Sequence, residues 1–143
     1  MTSVRKRGLV SGWMTTHIIS VEPQDALFDA VEKMAERAIR HVLVTEGDRL
    51  TGILSNRDLV RSTFRTPDRR LDLHGVTVSE VMTPKPITTT PDTTLAEAAR
   101  LMVQHAINAL PVVEGERPVG VLSSDDLLRA LSVQELCPPL PQV

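Results

Sequence analysis

The chain has 143 residues, 41% of them hydrophobic and 24% charged, with a formal net charge of −2. These values exclude a disordered or membrane-spanning composition and argue against a basic nucleic-acid footprint over the whole molecule. Trp13, Phe28 and Phe64 are the only aromatic residues, so the core must be filled by Val, Leu, Ile, Ala and Met, and base-stacking platforms are scarce.

A chain of this length is expected to bury one continuous core. Residues 1–9 form a basic segment carrying Arg5, Lys6 and Arg7. The apolar stretch at 8–14 is too short and mixed for a signal peptide, and no 18-residue apolar run follows. Residues 17–21 read as a short strand. Pro23-Gln24-Asp25 then opens a helix whose Leu27, Val31 and Met34 recur at helical spacing. Val42-Leu43-Val44, the turn Glu46-Gly47-Asp48 and the run 50–54 have the pattern of a hairpin. Ser55-x-x-Asp58 before Leu59-Val60 has the form of a capping box and starts a second helix.

Residues 62–77, with Arg65, Pro67, Arg69, Arg70 and Gly75, lack sustained periodicity and read as a linker. The same order of elements then returns. Leu95, Ala99 and Met102 mark a helix face. The run 109–113, Glu114-Gly115-Glu116 and the run 118–122 mark a hairpin, and Ser123-x-x-Asp126 precedes Leu127-Leu128. The segment 132–143 is a proline-rich tail around Cys137-Pro138-Pro139-Leu140-Pro141, expected to be extended. One cysteine cannot form an intramolecular disulfide, and a cytoplasmic location is the natural expectation.

A shift of 68 residues superposes 10–61 on 78–129 without a gap, with 21 of 52 positions identical, a duplication of one unit. The matched pairs include Met14 with Met82, Pro23 with Pro91, Met34 with Met102, Gly52 with Gly120, Ser55 with Ser123 and Asp58 with Asp126. The expected fold class is α/β (α+β), built from two β-α-β-β-α units at 10–61 and 78–131. Met34 and Met102 read as core gap-fillers.

The string Gly-hydrophobic-Leu-Ser-x-x-Asp-Leu occurs at Gly52 to Leu59 and again at Gly120 to Leu127. It resembles the ligand-binding turn of cystathionine β-synthase (CBS) domains. Met14-Thr15 and Met82-Thr83-Pro84 resemble that family's opening motif, and Ala109-Leu110-Pro111-Val112-Val113 its middle strand. The resemblance implies a tandem pair of units packed with pseudo-twofold symmetry, a further homodimer, and two clefts where the repeats meet. It also implies an adenosyl ligand there, such as AMP, ADP, ATP or S-adenosylmethionine, with no required cofactor and no metal.

An adenosine ligand needs a carboxylate for the ribose hydroxyls, donors for phosphate and an apolar slot for the purine. Asp58 and Asp126 suit the first role; Ser55 and Ser123, just before helix N-termini, suit the second. By the resemblance, one cleft would use Ser123 and Asp126 with Thr16, Ile18, Arg40, His41 and Val42. The other would use Ser55, Arg57 and Asp58 with Pro84, Pro86, Asn108, Ala109 and Leu110. Arg40 and His41 favour phosphate in the first, but Asp125 opposes it; Arg57 serves the second, where Asn108 and Ala109 are neutral. Unequal affinities are expected. The competing structural reading is that Ser-x-x-Asp is an ordinary helix cap worth about 1 kcal/mol, with Arg40 and His41 as a solvated loop or dimer-interface pair and Arg57 as a surface residue of its helix.

Catalysis is not expected: His17, His41, His74 and His105 show no metal-ligand spacing, and no strand-elbow motif exposes a serine. The readings that remain are a regulatory sensor of an adenosyl ligand, which changes the arrangement of the repeats for a regulated protein partner to read, and a homodimeric interaction module independent of ligand. The basic stretches are read as solvated surface rather than as nucleic-acid contacts.

Overall fold

The structure, a computed structural model, describes residues 8–133; the basic Arg5-Lys6-Arg7 and the proline-rich tail around Cys137 lie outside the described residues. After a 3-10 turn at Val10–Gly12, the order is β1 (Ser20–Val21), α1 (Leu27–Arg37), β2 (His41–Glu46), β3 (Arg49–Ser55), α2 (Asn56–Arg65), α3 (Val78–Val81) and β4 (Thr83–Pro84), followed by α4 (Leu95–His105), β5 (Ala109–Glu114), β6 (Arg117–Ser123) and α5 (Ser124–Ser132). The elements form two compact units. The first holds His17–Pro86 with Gly115–Pro118; the second holds 8–16, Ile87–Glu114 and 119–133.

In the first unit a four-stranded sheet runs in the order β1-β2-β3-β4. β1 is parallel to β2, β2 and β3 form an antiparallel hairpin, and β4 pairs antiparallel with β3 through Gly52–Pro84 and Ile53–Thr83. The second unit reproduces this frame with its outer strands reduced to single bridges. β5 and β6 are flanked by Thr89 against Val112 and by Thr15 against Val121. Subtracting 68 from 89, 112 and 121 gives Val21, Val44 and Ile53, and adding 68 to 15 gives Thr83. Each bridge is thus the counterpart of a strand pair in the first unit.

The opening segments are therefore exchanged in sequence. Met14 and Thr15, which open the first repeat, complete the sheet of the second, while Met82 and Thr83 complete the sheet of the first. Val10 and Val78 follow the same rule, each fully buried in the core built around the other repeat's strands. In the first unit Leu27, Ala30, Met34, Val42, Val44 and Leu54 join Val78; in the second Leu95, Ala98, Met102, Leu110, Val112 and Leu122 join Val10. Each unit thus has its own cluster of buried residues, formed where its helices cover its sheet. Met34 and Met102 are buried in these clusters, as expected of gap-fillers.

Local chemistry sets the ends of the elements. Gly47 and Gly115 take φ of 60° and 65° at the first central position of their hairpin loops, where glycine carries no Cβ penalty. The first helix begins at Leu27, two residues beyond the Pro23-Gln24-Asp25 start expected from sequence. Ala26 is held extended by a bridge to Thr77, and the Leu27 N–H donates to Val76 C=O at 2.8 Å. The first strand covers only the end of the expected 17–21. α2 continues to Arg65, and Leu71, Leu73 and Val76 of the connecting segment pack onto the first core.

Candidate functional site

The two Ser-x-x-Asp strings form the same closed device. In the first unit Ser55 is the N-cap of α2: its hydroxyl accepts from the Asp58 N–H at 3.2 Å, and its own N–H and hydroxyl donate to Asp58 Oδ2 at 2.9 and 3.0 Å. In the second unit Ser123 caps α5, with the Asp126 N–H donating at 3.3 Å and Asp126 Oδ2 accepting at 2.8 and 3.1 Å. These are reciprocal capping boxes, satisfying helix-end donors that would otherwise be unpaired. Both aspartates are buried, at 8% and 3% exposure, beneath half-exposed serines.

What separates them is the other carboxylate oxygen. Asp58 Oδ1 accepts from the Thr83 hydroxyl of β4 at 3.0 Å. Asp126 Oδ1 accepts instead from the guanidinium of Arg129, one turn along α5, whose side chain is 67% exposed. An ionised carboxylate offers about four acceptor positions. With two taken on Oδ2 and one on Oδ1, each aspartate keeps one position, on Oδ1, for an incoming hydroxyl. Accepting from both hydroxyls of a ribose would require Thr83 or Arg129 to let go.

The approach to each turn is fixed by close backbone contact. A Cβ on Gly52 would lie 2.6 Å from Met82 Sδ and 3.0 Å from Thr83 O; one on Gly120 would lie 2.8 Å from Met14 Sδ and 2.9 Å from Thr15 O. The Met-Thr segment can pair against β3 or β6 only because glycine stands there. In the second unit that pairing is a reciprocal pair of bonds between Thr15 and Val121, at 2.9 and 3.0 Å.

The residues proposed from sequence divide between the units as follows. Ile18, Arg40, His41, Val42, Ser55, Arg57, Asp58, Pro84 and Pro86 belong to the first, and Thr16, Asn108, Ala109, Leu110, Ser123 and Asp126 to the second. Within the first, the Asn56 N–H donates to Arg40 C=O at 3.1 Å and His41 pairs with Ser55, so the start of β2 and the capping turn are joined. Within the second, the Ser124 N–H donates to Asn108 C=O at 2.9 Å. Arg57 and Asp125 occupy matching exposed positions of the two turns. Thr83, Arg129, Met14 and Met82 were not among the site residues proposed from sequence. Their signal was present: Met-Thr and the arginine at 61 and 129 are identical in the two repeats.

Among the described residues no group of His, Cys, Asp and Glu could hold a metal ion, and no helix is long and apolar enough to cross a membrane.

A duplicated α/β unit with a buried Ser-x-x-Asp cap after the last strand of each hairpin defines a tandem domain pair. The CBS domain model matches residues 10–64 and 78–133, and the chain belongs to that family. It is 32% identical over 119 residues to the CBS domain-containing protein YhcV of Bacillus subtilis (strain 168), covering 82% of this chain and 81% of that one. Among solved structures it is similar to CBSX2 in complex with AMP, with a TM-score of 0.73 at 26% identity over 89% of this chain and 98% of that one. It is also similar to the cytosolic domain of the Mg2+ channel MgtE in complex with ATP, with a TM-score of 0.70 at 30% identity over 86% and 48% of the two chains.

Proposed function

We propose that this protein is a non-catalytic, cytoplasmic regulatory module that binds an adenosyl ligand, AMP, ADP, ATP or S-adenosylmethionine, at its Ser-x-x-Asp turns. The supporting observation is the buried aspartate held under a helix N-terminus in both units, in a chain similar to an AMP-bound and an ATP-bound CBS structure. In this reading the free position of Asp58 or Asp126 Oδ1 accepts a ribose hydroxyl, and the helix end receives phosphate together with Ser55 or Ser123, whose hydroxyl proton must turn away from Oδ2 to donate to it. The assignment of Arg40, His41 and Val42 to the Ser123 site, and of Asn108, Ala109 and Leu110 to the Ser55 site, belongs to this proposal. So does unequal affinity, since Asp58 must share Oδ1 with a neutral hydroxyl and Asp126 with a guanidinium. Occupancy acts by favouring one conformation, which a regulated protein reads.

The test is a thermal-shift series with AMP, ADP, ATP and S-adenosylmethionine on the parent protein, Asp58→Ala and Asp126→Ala, each compared with its own ligand-free state. At a hundredfold excess over its dissociation constant, a one-site ligand adds about 2.7 kcal/mol, a rise of roughly 5 to 10 °C. The expected result is a rise that one of the two variants loses. No rise with any of the four ligands would sink the sensing reading and leave the interaction module.

A homodimer is a second part of the proposal, favoured by a specific observation. Val60 and Phe64 on α2 are 55% and 64% exposed, and Leu128 and Leu131 on α5 are 63% and 49% exposed. Each pair lies at helical spacing on its own unit, an apolar stripe of the kind that buries against a partner. Light scattering should give a dimer mass for the parent and a monomer mass for Phe64→Glu combined with Leu128→Glu. A monomeric parent would remove this part.

A further inference from the structure

The second unit holds an open cavity of about 480 Å³ between the edge segment 88–90 and α4; Thr88, Thr89, Thr90, Glu97, Arg100 and Leu101 are among its walls. None of these residues belongs to the Ser123–Asp126 turn. The first unit has a side-chain bridge at the matching place. There Lys33 of α1 reaches the edge strand and its ammonium donates to Ser20 C=O at 3.0 Å. Adding 68 converts Ser20 to Thr88 and Lys33 to Leu101. Where one unit has an ammonium on the strand carbonyl, the other has an aliphatic side chain that cannot donate.

The carbonyl in question faces the cavity side of the strand. The Thr89 N–H donates to Pro111 C=O at 3.0 Å and Thr89 C=O accepts from the Val113 N–H at 2.9 Å. Those bonds point the Thr89 backbone toward β5, so alternation turns the Thr88 carbonyl the other way, as it does for Ser20. A second observation marks the same wall. Thr89 is 4% exposed, and its hydroxyl has no hydrogen-bond partner among the described residues. The matching residue of the first unit is Val21. Charge has changed as well: Glu32 becomes Arg100, while Asp29 stays acidic as Glu97.

We propose that this cavity is a binding site for a free α-amino acid in its zwitterionic form. The ligand's ammonium takes the place that Lys33 fills in the first unit, donating to Thr88 C=O beside the Glu97 carboxylate. Its carboxylate is held by the Arg100 guanidinium and the partly exposed Thr88 hydroxyl, which suit an anion in a fixed geometry. The volume lies within the range of small-molecule sites. The first unit cannot bind this ligand, because its own lysine occupies the ammonium position. The site is independent of the adenosyl-binding turns.

The experiment is amide-resolved NMR of the intact protein, titrated with each common L-amino acid and, for any that binds, with its N-acetyl and carboxamide forms. Saturable shifts confined to residues 88–104 are expected from one or a few amino acids. Each blocked form should bind about tenfold more weakly or worse, as the loss of a hydrogen bond to a charged group requires. Leu101→Lys should abolish these shifts by importing the bridge of the first unit, while leaving any thermal shift with AMP unchanged. Leu101→Ala should retain them, separating the bridge from damage to α4. The proposal is overturned if no amino acid gives saturable shifts there, if Leu101→Lys binds as the parent does, or if blocking either end of the ligand leaves affinity unchanged.

Discussion

The first and second units share a backbone frame to the level of single bridges, yet they answer the same chemical demand with different side chains. Asp58 is completed by Thr83 from a neighbouring strand and Asp126 by Arg129 from its own helix. Thr15 and Arg61, the counterparts of Thr83 and Arg129, are present in the chain, so both solutions were available to both units. Duplication has kept what the frame cannot do without: the glycine, the serine and the aspartate. It has let the second oxygen of the carboxylate find its partner locally. The Arg129 contact joins an exposed guanidinium to a residue of its own helix and weakens with salt, whereas the Thr83 hydrogen bond ties two segments of the first unit together. The two turns are alike as caps and unlike as receptors.

The largest expected effect tests the shared part of that comparison. Gly52→Ala and Gly120→Ala should each cost about 1 to 3 kcal/mol, the range for forcing an extra carbon into a packed contact. In each case the obstacle includes a backbone carbonyl, Thr83 O or Thr15 O, that cannot swing aside as a side chain can. Urea midpoints of the two variants should fall by similar amounts. A drop in only one would mean that the Met-Thr segment is not an equal part of both sheets. Gly52→Ala should also weaken the Asp58 site more than the Asp126 site toward any adenosyl ligand, since Thr83 must move.

These glycines also show how much was legible before the structure. The repeat, the hairpins, both capping boxes and the burial of Met34 and Met102 follow from period, turn residues and the 68-residue offset, all of which are local patterns. The exchange of the opening segments does not. Met14-Thr15 belongs by sequence to one repeat and by hydrogen bonding to the other unit, and nothing in a periodicity distinguishes those partners because both repeats offer the same receiving strand. Of the candidate site, the Ser-Asp pairs were legible as caps and by resemblance; the partners of Asp58 and Asp126 Oδ1 were not, since identical Thr and Arg pairs allow either choice.

A smaller effect of opposite sign sharpens the difference between the units. Thr89→Val should stabilise the protein by about 1 kcal/mol, because an unpartnered buried hydroxyl costs on the order of 1 to 3 kcal/mol and the isostere keeps the volume. Val21→Thr in the first unit should destabilise by a similar amount, since that wall is apolar and buried. Equal and opposite shifts in denaturation midpoint would show that the two positions differ only in the hydroxyl. A destabilised Thr89→Val would mean that the hydroxyl has a partner in solution, which is the outcome an occupied cavity would produce.

The smallest effect concerns a feature the units share and neither has optimised. α1 and α4 both end in the left-handed region on alanine, Ala38 at φ 52° and Ala106 at φ 54°, where glycine is the usual residue. In both, the cap N–H returns to the last turn and the next residue, Ile39 or Ile107, donates to the methionine carbonyl at 3.0 Å. The isoleucine then packs on the core of its unit, so the left-handed residue is what turns the chain inward. For an L-residue that conformation costs about 1 to 2 kcal/mol, while glycine gives back roughly 0.5 to 1 kcal/mol through the freedom of the unfolded chain. The alanine methyls are exposed, so removing them sacrifices no packing. Ala38→Gly and Ala106→Gly should each raise stability by about 0.5 kcal/mol, additively because they lie in separate units. Loss of stability in either would show that the unfolded-state term outweighs the strain, and would make the alanine a compromise already struck in favour of the stiffer chain.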